Sequence, residues 1–240
     1  MTAIVAIRPP PGDAATLKRA GEAGIALLSM PMFRVEPVAW TMPDIASLDA
    51  LLLGSANIMR HGGAKLSALT GIPAWCVGET TAEAARAAGF TLAHVGAGGL
   101  QPVAERAVAM GARNLLRLSG EAHVPLSLAE DARLDTRVVY RVAALPLPGA
   151  LAALADEELV VLLHSAEAAR HFSAEVERVG LPRGRIALAC LAPRIASAAG
   201  AGWRAVEVAE TVDDAALLAL AAEMCKGGLE RRQGPEGTPA

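Results

Sequence analysis

A disulfide framework, a metal-ligand spacing and a dominant charge are all missing from this sequence. Its 240 residues include three cysteines, Cys76, Cys190 and Cys225, which match neither a disulfide framework nor a metal spacing. An odd count points to a reducing compartment, and a cytoplasmic location is expected. The 22 Lys+Arg against 25 Asp+Glu leave a formal charge of -3. No general basic surface invites nucleic acid or anionic lipid, so neither is expected as a partner. The apolar run Ala215 to Ala222 falls far short of the ~20 residues that a membrane span needs. The opening MTAIVAIRPPPGD has no basic lead and no small-residue cleavage site, and it reads as a first strand rather than a signal peptide. There is no G-x-S-x-G and no Cys/His pair in sequence, and His61, His123 and His171 carry no ligand spacing. No covalent nucleophile, metal or cofactor is therefore expected.

Apolar residues make up 53% of the chain and charged ones 20%, the balance of a folded protein rather than a disordered one. At roughly 100 to 200 residues per domain, one large domain or two small ones fit, and two are expected. Short apolar runs alternate with Ala-rich stretches: 3–7, 25–30, 50–54, 74–78, 115–118, 159–163, 186–190 and 205–208. Strands this apolar are buried on both faces, as in a parallel sheet covered by helices, so the expected class is α/β. Two β-prone stretches bounded by proline lack the helix that should follow, and read as linkers at 32–40 and 136–146. From Gly227 the chain is Gly, Pro and charge, which reads as a disordered tail over 227–240.

An internal repeat organises the rest. Residues 49–61 resemble 158–172, superposing Ser55 on Ser165 at an offset of 110. Residues 72–90 resemble 186–203, superposing Cys76 on Cys190 and Gly89 on Gly202 at offsets of 114 and 113. A duplicated α/β module is the economical reading; the alternative is chance likeness between Ala-rich helices.

Ligands of doubly wound sheets collect at the carboxyl ends of strands, where helix N-termini present free N–H groups. Ser55, Thr80, Ser119 and Ser165 lie at such ends, and for Ser55 and Ser165 plain N-capping is the competing role. Thr80 with Glu83 spells a capping box, which leaves the hydroxyl of Thr81 free. Arg8, at the end of the first run, either pairs with a ligand carboxylate or makes a salt bridge. His164 and His94, each alone at a strand end, read as satisfied by backbone. Cys76 and Cys190 read as buried core thiols. VGAGGLQ at 95–101 lacks the third glycine of a dinucleotide fingerprint, and no acidic residue about 20 positions later ends a strand. Tyr140, the only tyrosine, is either half-buried packing or a weak general acid.

Taken together, Arg8-Pro9 after the first strand, the Ser55-Ala56-Asn57 turn, GETTAEAARAAG at 78–89, LLRLSGE, VVYRV around Tyr140 and the second turn at Ser165 resemble the uroporphyrinogen-III synthase family. The resemblance covers nearly the whole chain except the tail. It implies two similar lobes, each a parallel sheet flanked by helices: 1–31 with 147–226, and 41–135, joined by the two linker strands. It also implies a monomeric, cofactor-free enzyme that cyclises hydroxymethylbilane, a linear tetrapyrrole, with inversion of ring D through a spiro intermediate. Tyr140 matches the family's active-site tyrosine, and Thr81 the threonine of its Thr-Ala motif. Arg8, Ser55, Ala56, Asn57, Ser119, Gly120, Ser165, Ala166 and Arg194 join Thr81 as expected substrate contacts. In the second copy Arg194 and Ile195 stand where a threonine is expected. That departure leaves a rival open, a two-lobed small-molecule binding or sensor protein without the activity.

Overall fold

The structure, a computed structural model, describes residues 2–154 and 156–232, with side chains to 226. In chain order the elements are β1 (Thr2–Ala6), α1 (Gly12–Glu22), β2 (Leu27–Ser29), β3 (Phe33–Pro37), β4 (Ala50–Leu53), α2 (Asn57–His61), β5 (Ala74–Cys76), α3 (Glu79–Ala87), β6 (Leu92–Val95) and α4 (Leu100–Ala109). There follow β7 (Asn114–Gly120), β8 (Arg133–Ala144), α5 (Gly149–Ala152), β9 (Glu158–Leu163), α6 (Ala166–Val179), β10 (Ile186–Cys190), α7 (Pro193–Ala199), β11 (Ala205–Val208) and α8 (Asp214–Arg232). The chain divides into two compact units, Met1–Arg34 with Ala144–Ala240, and Val35–Ala143.

The first unit carries a five-stranded sheet in the order β11-β10-β9-β1-β2, every pairing parallel. Its central strands β1, β9 and β10 bury both faces, as their continuous apolar runs require, whereas the edge strands β2 and β11, also expected to be buried, stay partly exposed because each has a neighbour on one side only. Val5, Val161, Leu188 and Cys190 pack on one side with Phe172 and Val176 of α6. Ile4, Ala6, Val160 and Ala187 pack on the other with Leu217, Leu218 and Ala221 of α8. Phe172 is fully buried and stacks on Trp203 at 5.7 Å between ring centroids. Burying such a ring is worth roughly 1.5–3 kcal/mol.

The second unit carries the six-stranded sheet β3-β8-β7-β4-β5-β6. Leu51, Leu53, Cys76, Leu116 and Leu118 face one cluster, while Ala50, Leu52, Trp75 and Leu115 face another under α4. The backbone bonds Val38 N to Val139 O, 3.0 Å, and Leu145 N to Met32 O, 2.9 Å, run in opposite senses along β3 and β8 and make that pair antiparallel.

The α/β class read from the apolar runs holds, and the duplication is visible in the hydrogen bonds. Leu53 pairs with Cys76 and Leu118 in one sheet. In the other, Leu163 pairs with Cys190, and Leu162 with Ala6. Superposing Leu53 on Leu163 therefore lays β4, β5, β6, β7 and β8 on β9, β10, β11, β1 and β2. The two units differ in where the chain enters: the first unit's equivalents of β7 and β8 come from the start of the chain. They differ also between the last two strands of the repeat, where α1 is a helix and residues 121–132, with Pro125, form an extended loop.

Several local expectations are corrected. The stretch at 136–146 lies largely in β8, which begins at Arg133, before the expected start, and pairs in parallel with β7 from Asn114 to Gly120. The strand end expected at His94 is that of β6, which is missing from the apolar runs because His94 interrupts it. Helix α3 starts two residues earlier than the capping box implied, with Gly78 at its N-cap and no side-chain cap; Thr80 and Glu83 are exposed on its surface. Helix α8 continues to Arg232, six residues into the stretch expected as a tail, and 233–240 lie outside the described residues.

Candidate active site

The carboxyl ends of β4, β5 and β7 in the second unit enclose a cavity of about 260 Å³. Its wall is built from Gly54 and Ser55 after β4, Ser119 and Gly120 at the end of β7, the α4 N-terminus at Gly99 and Leu100, and Tyr140 of β8. Gly98 and Gly99, with φ of 77° and 114°, supply the left-handed turn into α4. That turn accounts for Gly98 and Gly99, and Gly96 sits where a Cβ would meet Val103 Cγ2 at 2.5 Å. Tyr140 pairs across the ladder with Gly120, and its ring packs against that residue: a Cβ placed there would meet Tyr140 Cε2 and Cζ at 2.7 Å. Glycine is what lets the phenol lie against the strand.

Two residues of this wall escaped the sequence reading. Arg117, in β7, is only 6% exposed; its Nη1 donates to Val124 O at 2.7 Å, and its Nε is sealed with no acceptor. Burial lowers its pKa, opposed by the phenol of Tyr140. The signal was present as a lone charge inside the apolar run LLRL. His123, set aside for want of a ligand spacing, holds Gly120 O at 2.8 Å and lies 3.4 Å from Ser119 Oγ through the same ring nitrogen, Nδ1.

The other expected contacts in this unit have mixed positions. Ser55 Oγ accepts from Asn57 N at 3.2 Å, so its hydroxyl is engaged in the turn; Ala56, not Ser55, occupies the N-cap of α2. Asn57 Oδ1 accepts from Arg60. Thr81 is 7% exposed in the first turn of α3, outside the wall of this cavity.

The corresponding rim of the first unit is filled by protein. Ser165 caps α6, accepting from Ala168 N at 3.1 Å, and Ala166 begins that helix. Arg8 donates to Thr16 at 3.2 Å and reaches Asp214 Oδ1 at 3.4 Å, so in this structure its salt bridge is formed. Asp214 also accepts from Thr16 at 2.8 Å, Arg19 at 2.9 Å and His164 Nε2 at 2.8 Å. His164 is thus satisfied by a carboxylate rather than by backbone. Burial outweighs Asp214 and pulls the His164 pKa down; its sealed Nδ1 has no acceptor, so a second proton has nowhere to bond. Burial alone would raise the Asp214 pKa, but the bonds from Thr16 and His164 bring it below the usual value. Neutral imidazole beside carboxylate is the resulting state. Arg194 is exposed in the first turn of α7, and Ile195, 1% exposed, takes the place matching Thr81 in the core. Cys76 and Cys190 are buried, and burial pushes both thiols up to about 11.

A family model described as uroporphyrinogen-III synthase HemD matches residues 14–219. Among solved structures, that of uroporphyrinogen-III synthetase from Helicobacter pylori is similar at 18% identity, covering 93% of this chain and 100% of its own, with a TM-score of 0.62. At that identity the likeness speaks for the fold. A mutant uroporphyrinogen III synthase from the extremely thermophilic bacterium Thermus thermophilus, 19% identical over 95% of this chain and 99% of its own, has a TM-score of 0.47, too low to add to it. No curated protein sequence matches the chain.

Proposed function

The chain belongs to the uroporphyrinogen-III synthase family, and we propose that its second-unit cavity carries the ring closure with Tyr140 as the acid. The enzyme is a lyase of tetrapyrrole biosynthesis acting on a linear tetrapyrrole. In the proposed step the phenol gives its proton to the substrate's terminal hydroxyl, which leaves as water, and the resulting azafulvene is attacked by the substituted carbon of the last ring. That bond makes the spiro intermediate from which ring D emerges inverted. A positioned acid of this kind is worth ~10²-fold or more in rate. The rest of the catalysis is holding the two ends of the chain together and keeping water off the cation.

The observation that carries this reading is the phenol laid against Gly120 within the cavity wall. Ser119 and Gly120 are the proposed contacts nearest it. Ser55, Ala56, Asn57 and Thr81 in the second unit, and Arg8, Ser165, Ala166 and Arg194 in the first, are proposed as further contacts for the acidic arms. The enzyme is proposed to work as a cytoplasmic monomer, which suits three free thiols; light scattering on the purified protein tests the oligomeric state. Among the described residues no helix is long and apolar enough to cross a membrane.

The deciding experiment supplies hydroxymethylbilane and identifies the isomer formed. Type III product is expected; the spontaneous type I isomer alone would defeat the assignment.

A further inference from the structure

The two units treat the same place in the repeat in opposite ways. By the strand registers, Arg117 falls on Ala6, Ser119 on Arg8 and Gly54 on His164. The first residues of α4 and α8 set Leu100 on Asp214. In the first unit those positions carry a carboxylate, that of Asp214, held by Arg8, Arg19, Thr16 and His164. Thr16 and Arg19 come from α1. In the second unit the carboxylate, the histidine, the arginine and the helix are replaced by Leu100, Gly54, Ser119 and an extended loop, and the space is open as the cavity.

A cation nonetheless faces that space. Arg117 stands where the first unit keeps a buried alanine, and among the described residues it has no acidic partner. Its one hydrogen bond is to Val124 O, and no acidic residue lines the cavity. Removing a guanidinium from water without an opposite charge costs several kcal/mol, and replacing it by an apolar side chain would ordinarily stabilise the fold. Such an unpaired buried charge marks a functional position.

We propose that the second-unit cavity is a carboxylate subsite, in which Arg117, assisted by the hydroxyl of Ser119, receives one acidic arm of the substrate in the place that Asp214 fills permanently in the first unit. The inference rests on the synthase reading for the identity of the arm. A guanidinium donates to a carboxylate by charge-assisted bonds, Arg117 lines the cavity with its Nε unpartnered, and the arm so held keeps its pyrrole beside Tyr140. Arg117 is a binding residue here, and Tyr140 keeps the proton transfer.

The test uses the full chain. A monopyrrole bearing one acetate and one propionate arm is titrated into wild type, following the backbone amide resonances of Ser119 and Gly120, with the dimethyl ester as control. Arg117→Met, Arg117→Gln and Arg117→Lys are then compared for hydroxymethylbilane KM and kcat, and for Tm. The diacid is expected to shift both resonances and the diester to leave them alone. Arg117→Met is expected to raise KM about tenfold, the worth of one charge-assisted bond, with a Tm at or above wild type. Arg117→Lys is expected to recover most of the affinity. A wild-type protein indifferent to the diacid overturns the proposal without any variant. So does Arg117→Met or Arg117→Gln with unchanged KM, or with a fall in Tm and an equal loss of every activity. The titration needs no turnover, so if wild type forms only the type I isomer the synthase reading fails while the subsite is still decided.

Discussion

Replacing Gly120 by alanine tests the placement of the phenol with one carbon atom. The added Cβ would lie 2.7 Å from Tyr140 Cε2 and Cζ and 3.0 Å from its Oη. Ordinary contact begins near 3.4 Å, so the ring must retreat by about 0.7 Å, the difference between 3.4 and 2.7, and by more if it is to relax fully. The ring is the far end of a side chain with two torsions, so it swings rather than breaking the β7 and β8 ladder. A misplacement of order 1 Å costs about 10²-fold in rate. The expected result is a Gly120→Ala protein of near wild-type stability whose kcat for type III product falls about 10²-fold, while the KM for hydroxymethylbilane changes little. Product isomers resolved by chromatography give the rate, and urea unfolding gives the stability. A stable Gly120→Ala enzyme with wild-type kcat would refute the role given to Tyr140, since the phenol cannot stay where it is.

Tyr140→Phe removes the proton and keeps the ring, so kcat should drop by ~10²-fold at unchanged denaturation midpoint; an equal rate would return the residue to packing. His164 binds a proton less readily folded than in the unfolded chain, where its ordinary value is 6.5. Its contribution to stability is therefore complete above that value and is lost as pH falls through it. Urea midpoints taken from pH ~7.5 down to ~5.5 should fall less steeply in His164→Gln than in wild type. Phe172→Ala empties a fully buried site against Trp203 and should cost ~3–5 kcal/mol in the same unfolding experiment. Cys76 and Cys190, with thiols pushed up to about 11, should resist alkylation at pH ~8 until urea unfolds the chain, because the thiolate is the reacting form.

Periodicity and composition were enough for the class and most of the strands. A run such as LVVLL at 159–163 has no polar face, and only a sheet covered on both sides satisfies it. The repeat was legible because Ser55 and Ser165, and Cys76 and Cys190, keep their places relative to the strand ends. Short-range signals did less well. Thr80 and Glu83 spell a capping box, yet the helix begins at Glu79 behind Gly78, because the exit from β5 decides where the first turn forms. The 136–146 stretch reads as a linker strand for want of a following helix, and its pairing along all of β7 is a contact between distant parts of the chain that no local signal carries.

What the order of residues determined alone is the duplicated module: two sets of apolar strands with small polar turns at their carboxyl ends, and a single phenol. What only the folded chain decided is which of those turns is open. Arg8, Thr16, Arg19, His164 and Asp214 are spread over some 200 residues, and only the sheet order brings them together to close one rim. At the other rim, Arg117 is buried without a counter-charge, and Tyr140 rests on a glycine twenty residues before it. Hydrophobic period is a property of neighbours along the chain. Charge compensation and close contact are properties of neighbours in space, and no local pattern carries them.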